Sequence, residues 1–282
     1  MTFREAEQIY TNNLSLVYDS REAASLAWLS ISPVCKLERA EYLNLKDTEV
    51  PTDKKQSLLK ILEELKTGKP LQYVIGETEF YGLTFKVNPS VLIPRPETEE
   101  LIALAKTRIV NTNQTIADIC TGSGCIAIAM RQWFPNNPIL ATDISESALA
   151  TAKSSAALNF NQNTIQFHQH DLLTQTWPYE IPDIVICNPP YINQSEGNEM
   201  APHVMLHEPH IALFVDHPDP LLFYKSLIQT FLPVAFPSIF FEMNPNYVEA
   251  IKHYCELHQL NCEIHLDMQG KERFAIISKR MN

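Results

Sequence analysis

DICTGSGCIAIAM, Asp118 to Met130, is the stretch whose reading decides the fold. It opens on the end of a short apolar run, IADIC at 116–120, that suits a buried strand. It closes on an apolar run, reaching about residue 134, that suits a helix. Between them stand Gly122 and Gly124, two of only 7 glycines in 282 residues. That is about a third of the typical share of roughly 7%. In a chain so sparing with glycine, two placed this closely mark a backbone that must turn tightly or approach a ligand. The helix that follows aims its N-terminus at that ligand. The spacing also matches the G-x-G-x-x-A dinucleotide fingerprint through Ala127.

From 115 onward strand-like and helix-like runs alternate. The strand runs are 116–120, 139–143 (ILATD), 165–168 (IQFH), 183–187, 238–242 (SIFFE), 262–266 and 273–278 (RFAIIS). Helical runs lie between them at about 124–134, 146–160, 219–232 and 245–258. This alternation predicts an α/β, doubly wound, mostly parallel seven-stranded sheet. Such sheets bind ligands beyond the carboxyl ends of their strands, so the residues just past each strand carry the chemistry.

The second strand ends at Asp143, 19 residues after Gly124, where a carboxylate can accept hydrogen bonds from two ribose hydroxyls. The third is followed by Asp171 and Leu172, a polar group for an exocyclic amine and an apolar side chain for an adenine ring. Each carboxylate alone could be a helix cap or a solvated loop residue. Together the three strand ends describe an adenosine-bearing cofactor, either a nicotinamide dinucleotide or S-adenosylmethionine.

The fourth strand end decides between them. Asp183-Ile-Val-Ile-Cys187 runs into Asn188-Pro189-Pro190-Tyr191, where two prolines remove successive N–H donors and end sheet pairing. Hydride transfer usually wants a proton donor near the nicotinamide, and this tip offers no obvious one. Methyl transfer to a planar, weakly nucleophilic nitrogen needs that nitrogen aimed. The Asn188 side-chain carbonyl and the Pro189 backbone carbonyl can each accept one N–H of an NH2 group. Pro190 restrains its predecessor and removes a competing donor, and Tyr191 can stack on the flat group. Fixed placement and two acceptors supply orientation and charge stabilisation without a metal or strong base.

Upstream, residues 4–66 read as helical. In DKKQSLLKILEELKTGKP, Asp53 and Gln56 suit a capping box, Leu58, Leu59, Ile61, Leu62 and Leu65 form an apolar stripe, and Gly68 and Pro70 supply the stop. Residues 21–31 are another helix. ETEFYGLTFKVNPSVLI (77–93) alternates at Leu83, Phe85 and Val87 around a Tyr81-Gly82 turn, as a hairpin does. In IPRPETEE, Pro96 pre-sets a helix start with Glu97, Glu99 and Glu100 in its first turn. The expected division is a helical domain at 1–75, a hairpin linker at 76–94 and an α/β domain at 95–282.

Composition sets bounds. A 45% hydrophobic share with 20% charged residues is ordinary for a globular protein. No apolar run approaches the roughly 18 residues of a membrane span, and Met1 to Glu7 does not read as a signal peptide. The six cysteines form no CxxC pair or zinc spacing; Cys120, Cys125 and Cys187 read as small buried hydrophobes. A reducing cytoplasm is expected. The net charge of −11 argues against a large phosphate-binding surface, so direct nucleic-acid binding is not expected.

From about residue 69 to the C-terminus the chain resembles the HemK/PrmC family, the glutamine methyltransferases that modify peptide chain release factors. The residues that carry the resemblance are PLQYVIGETEFYGLTFKVNPSVLIPRPETEEL (70–101), DICTGSGCIAIA, ATDIS, HDLL and NPPYI. NPPY alone is shared with adenine and guanine methyltransferases; IPRPETE points to this family. The resemblance implies a Rossmann-like class I S-adenosylmethionine-dependent methyltransferase domain. It implies cofactor contacts from Cys120, Thr121, Gly122, Ser123, Gly124, Asp143, Leu172 and Asn188. Asn188, Pro189, Pro190 and Tyr191 would hold the glutamine, and Arg95, Pro96, Glu97 and Thr98 would line the cleft between domains. The helical region would bind the release-factor loop that presents Gly-Gly-Gln. A monomer without a membrane or metal partner is expected.

Three segments depart from the family's pattern. The family's glycine after the Glu of its fifth strand is Asn244 here, in FEMNPNY. Glycines before that strand give way to LPVAFP, and those after HEPHIALF to VDHPDP. Rival readings are a ribosomal-protein glutamine methyltransferase, an amino methyltransferase acting on nucleic acid, a non-catalytic module on the same fold, and a nicotinamide oxidoreductase.

Overall fold

A computed structural model describes residues 1–111, 113–161 and 165–280. The chain divides into two compact units, Met1–Gly76 with Ala201–His207, and the remainder.

The smaller unit is helical. Its elements are α1 (Phe3–Leu14), α2 (Ser20–Cys35), α3 (Arg39–Leu45), α4 (Thr52–Leu65) and α5 (Leu71–Ile75). Thr2 and Glu5 close a capping box on α1, and the Asp19 carboxylate accepts from the N–H groups of Arg21 and Glu22 at the start of α2. The capping box expected from Asp53 and Gln56 does not form. Pro51, at φ −52°, occupies the cap position of α4 and has no side-chain acceptor, so Asp53 falls inside the first turn. The apolar stripe is also narrower than expected. Leu58, Leu62 and Leu65 are buried, at i, i+4 and i+7, whereas Leu59 is 47% exposed on the far side.

The larger unit opens with a hairpin, β1 (Glu77–Phe80) and β2 (Leu83–Lys86). Tyr81 and Gly82 both take positive φ, 54° and 73°, as a two-residue turn matched to strand twist requires. Phe80 and Phe85 from this hairpin lie in the unit's core. Then follow α6 (Pro96–Lys106), β3 (Ile116–Ile119), α7 (Cys125–Trp133), β4 (Ile139–Asp143), α8 (Glu146–Asn159), β5 (Ile165–Gln169), β6 (Ile184–Cys187) and the short β7 (Ile192–Asn193). After α9 (Pro202–His207), which clusters with the helical unit, come α10 (His210–Leu213), β8 (Phe214–Val215), α11 (Leu222–Phe231), β9 (Ser238–Glu242), α12 (Val248–Leu257), β10 (Leu260–Leu266) and β11 (Glu272–Lys279).

Seven strands form one sheet in the order β10-β11-β9-β6-β3-β4-β5. The five from β9 to β5 are parallel, and β10 and β11 pair antiparallel at one edge. The chain winds outward from β3 to β5, then restarts at β6 on the other side of β3, so the sheet reverses between β3 and β6. A crevice opens at such a reversal. Alternation along β3 sends Ile116 to one core and Ala117 and Ile119 to the other, one built with α6 and α7 and one with α11 and α12.

Two of the three loop departures have local explanations. Asn244 sits at φ −73°, a conformation that needs no glycine. Its Oδ1 accepts from Asn246 N, and its Nδ2 donates to Glu196 Oε2 at 3.0 Å. In VDHPDP, Asp219 Oδ1 accepts from Leu221 N at 3.0 Å and Oδ2 from Lys225 at 2.6 Å, so a side chain ties the turn. Among the described residues no helix is long and apolar enough to cross a membrane, and no group of three or more His, Cys, Asp or Glu side chains could hold a metal ion.

Candidate active site

Strand register assembles the site. Ile119 pairs with both Thr142 and Cys187, and Cys187 pairs with Phe241. One residue further along, Asp143, Cys120, Asn188 and Glu242 therefore stand in a row across four parallel strand ends. Three of the four were expected from sequence. Glu242 was not.

Beyond this row lies a cavity of about 1090 Å³, mouth included. Cys120, Thr121, Gly122 and Ser123 form one wall, with Asp143, Asp171 and Leu172 beside them. Asn188, Pro190, Arg95 and Thr98 face it as well. Cys120 and Cys125 thus belong to the cavity wall rather than to the sealed core, whereas Cys187 is fully buried as expected.

The glycine turn is built as a cradle. Cys120, Gly122 and Gly124 take φ of 61°, 54° and 81°. A Cβ on Gly122 would meet nothing within 4 Å, whereas one on Gly124 would stand 3.0 Å from the Ala152 Cβ of α8. Gly122 leaves room for a ligand; Gly124 lets α7 pack against α8. Gly124 also occupies the N-cap of α7, where it has no side chain to offer. Asp118, one strand back, supplies the acceptor instead: its Oδ2 takes the Ala127 N–H at 3.0 Å and the Thr121 hydroxyl at 2.5 Å. Asp118 is 0% exposed, and burial raises its carboxyl to about 7 against those two hydrogen bonds.

Asp143 accepts from Gly122 N at 2.8 Å and Ser145 N at 2.9 Å, which ties the second strand end to the glycine turn. Each oxygen keeps a lone pair for a further donor such as a ribose hydroxyl. Burial raises its carboxyl above the ordinary value, opposed by those N–H groups. Leu172 places an apolar side chain on the wall where an adenine would lie. The residues present fit an adenosine-bearing cofactor, since the space beside Gly122, the Asp143 carboxylate and Leu172 occur together on one cavity.

Some expected residues are placed differently. The Asp171 carboxylate accepts from Leu173 N and the Thr174 hydroxyl, so it ties its own turn while the residue stays on the wall. Pro189 is buried. Glu97 is half-buried in the first turn of α6 and is not on the wall. Arg95 faces the cavity but is engaged: its Nη2 donates to Glu208 Oε1 at 2.6 Å. The same carboxylate, 4% exposed, also accepts from Ile93 N. Tyr191 is not on the wall either. Its hydroxyl turns inward and donates to Glu242 Oε1 at 2.8 Å.

Glu242, 2% exposed, is the residue that sequence reasoning missed. Its Oε2 accepts from the Thr98 hydroxyl at 2.9 Å, and Asn188 Nδ2 donates to Thr98 Oγ1 at 3.1 Å. A charged residue closing the apolar run SIFFE was the signal available. Burial raises the Glu242 carboxyl, opposed by the Tyr191 and Thr98 hydrogen bonds and by Arg273. With Nδ2 committed to Thr98, Asn188 Oδ1 has no partner among the described residues and is left as an acceptor at the cavity.

Residues 99–215 match the Methyltransferase small domain family and residues 11–76 the PrmC N-terminal domain family. The release factor glutamine methyltransferase of Flavobacterium psychrophilum is 38% identical over 225 residues, 78% of each chain. That of Bacteroides thetaiotaomicron is 34% identical over 278 residues, 95% of this chain and 96% of its own. Among solved structures, the hMettl16 catalytic domain in complex with MAT2A 3′UTR hairpin 6 superposes with a TM-score of 0.59 at 17% identity, over 82% of this chain and 83% of its own. The N-terminal domain of human METTL16 in complex with SAH gives 0.52 at 16% identity, over 78% and 84%. At these identities the structures share the fold alone. The full-length sequence similarity carries more: this chain belongs to the release factor glutamine methyltransferase family, S-adenosylmethionine-dependent protein-glutamine N-methyltransferases.

Proposed function

We propose that the chain methylates the side-chain amide nitrogen of the glutamine in the Gly-Gly-Gln motif of peptide chain release factors. In this reading residues 1–75 recognise the protein substrate, 76–94 link, and 95–282 carry the chemistry. S-adenosyl-L-methionine, when bound, supplies an electrophilic methyl group. The glycine turn, Asp143 and Leu172 hold that cofactor.

The observation that carries the reading is the fixed Asn188 amide, whose Nδ2 is occupied by Thr98 and whose Oδ1 is left to accept. An amide nitrogen is a weak nucleophile because its lone pair is delocalised. Asn188 Oδ1 accepts one N–H of the substrate NH2 and the Pro189 carbonyl the other. Pro190 has no N–H to compete for either acceptor. Two acceptors favour positive charge growing on nitrogen, and rigid placement lowers the entropic part of the barrier. The methylated nitrogen is then acidic enough to lose its proton to solvent.

Incubation with labelled S-adenosylmethionine and a release factor, followed by mass spectrometric mapping, tests the reading. Label on the glutamine of Gly-Gly-Gln is expected. Label on a ribosomal protein or on nucleic acid, with none on the release factor, would sink it.

A further inference from the structure

We propose that Glu242 sets the hydrogen-bond polarity of the amide site, acting through Thr98 and Tyr191 as a positioning residue that makes the site select a carboxamide over a carboxylate. The inference rests on the reading of this site as one for a glutamine side chain, and deepens it.

Three side chains depend on one carboxylate. An ionised carboxylate only accepts hydrogen bonds, and a hydroxyl carries a single proton. Thr98 gives its proton to Oε2 and Tyr191 gives its proton to Oε1. Thr98 Oγ1 then has only lone pairs to offer Asn188. The Asn188 amide has two ends of opposite character, and only its NH2 end can satisfy Thr98. Its carbonyl end is therefore turned to the cavity. Without Glu242 the two orientations of that amide are nearly equivalent in shape, and hydrogen bonding alone decides between them.

The consequence is chemical selectivity. With Asn188 Oδ1 turned to the cavity, and the Pro189 carbonyl as the second acceptor of the proposed function, an incoming NH2 finds two acceptors. An incoming carboxylate finds two acceptors facing its own lone pairs, an arrangement with no hydrogen bond and electrostatic repulsion. A site built to bond a polar group strongly rejects a near-isostere that cannot make the bond. Glutamate differs from glutamine at that group alone.

The inverse arrangement is one substitution away. In Glu242→Gln an NH2 group replaces one carboxylate oxygen and donates either to the Tyr191 hydroxyl or to Thr98. When it donates to Thr98, the Thr98 proton turns toward Asn188, whose carbonyl end accepts it, and the NH2 of Asn188 swings to the cavity. The site is then no longer held in one polarity.

Neutron diffraction on the deuterated full chain reads the polarity directly. The expected density places the Thr98 deuteron toward Glu242 and the Asn188 ND2 group toward Thr98; an Asn188 carbonyl facing Thr98 overturns the proposal. Competition binding then compares Gly-Gly-Gln and Gly-Gly-Glu peptides. The native protein is expected to prefer glutamine at least about tenfold, and Glu242→Gln to lose that preference. A preference unchanged in Glu242→Gln overturns the selectivity claim. If the native protein binds neither peptide, the release-factor reading falls, while the neutron result still decides the polarity. Thr98→Val should lower kcat about 100-fold with cofactor affinity unchanged, and Thr98→Ser should restore kcat to within a few-fold. A shared fall in kcat and cofactor affinity, or failure of Thr98→Ser to rescue, marks a merely structural role and overturns the positioning role.

Discussion

The Tyr191 hydroxyl donates a 2.8 Å hydrogen bond to Oε1 of Glu242, 51 residues further along the chain. Burial, and then the Glu242 charge, push the Tyr191 phenol well above its ordinary value, so it stays a donor. Tyr191→Phe keeps the ring and removes the proton. Glu242 Oε1 is then a buried acceptor without its donor, which costs about 1–3 kcal/mol. Urea denaturation at neutral pH should show that loss. The same variant removes a bond that favours the charged carboxylate, so the acid limb of the rate profile should move to higher pH. A variant as stable as the native protein, with an unmoved acid limb, would show that this bond contributes nothing.

Gly122 and Gly124 should behave differently although both take positive φ. Alanine at Gly124 brings a Cβ to 3.0 Å from the Ala152 Cβ and 3.1 Å from Ile128 Cδ1, so α7 and α8 must separate. Overpacking on top of left-handed strain predicts a loss of about 2–4 kcal/mol. Alanine at Gly122 meets no atom within 4 Å, so only the conformational strain remains, about 1 kcal/mol. Its methyl group stands where the cofactor would lie, so calorimetry should show weakened cofactor binding with the fold nearly intact. Equal stability losses in the two variants would contradict this division of roles.

Much of this was legible in sequence, and the illegible part has a physical pattern. Strands 139–143 and 238–242 run where the apolar runs place them, because a buried parallel strand is an uninterrupted apolar segment. The glycine turn and Asp143 were legible because each follows such a run directly. The Thr98–Asn188 contact joins residues 90 positions apart and Thr98–Glu242 joins residues 144 apart. No local pattern encodes that meeting; it comes from strand register and from where α6 begins. Asp171 shows a different limit. Its carboxylate ties its own turn while the residue lines the cavity, and the spacing of HDLL does not distinguish the two duties.

Asp118 predicts a pH dependence of stability. Its folded carboxyl is raised to about 7 from an ordinary 3.8, with burial the main cause. The folded state thus holds a proton that the unfolded state has released, so this contribution is full below the ordinary value and is lost as pH rises through about 7. Between those two values the slope approaches about −1.4 kcal/mol per pH unit. Asp118→Asn cannot titrate and keeps one oxygen for Ala127 N and Thr121. Denaturation at several pH values should show the native protein losing stability across this window relative to the variant. Parallel curves would mean that Asp118 is already ionised in the folded state at low pH.

Asn188→Ala separates the two duties of the site. The residue lines the cavity and gives its Nδ2 to Thr98; in the proposed function it borders the cofactor and also presents the acceptor for the substrate amide. Removing one preorganised hydrogen-bonding group at a reacting centre typically costs about 10²–10³ in kcat. The glycine turn, Asp143 and Leu172 remain, so calorimetry should find cofactor affinity weakened but measurable. Thr98 also loses the amide that donates to it, while its own proton still goes to Glu242. The fold should therefore persist. Loss of methyl transfer with cofactor binding retained places Asn188 at the nitrogen being methylated. Near-full turnover in Asn188→Ala would mean that the substrate amide is aimed by something else, and the two-acceptor account would fail.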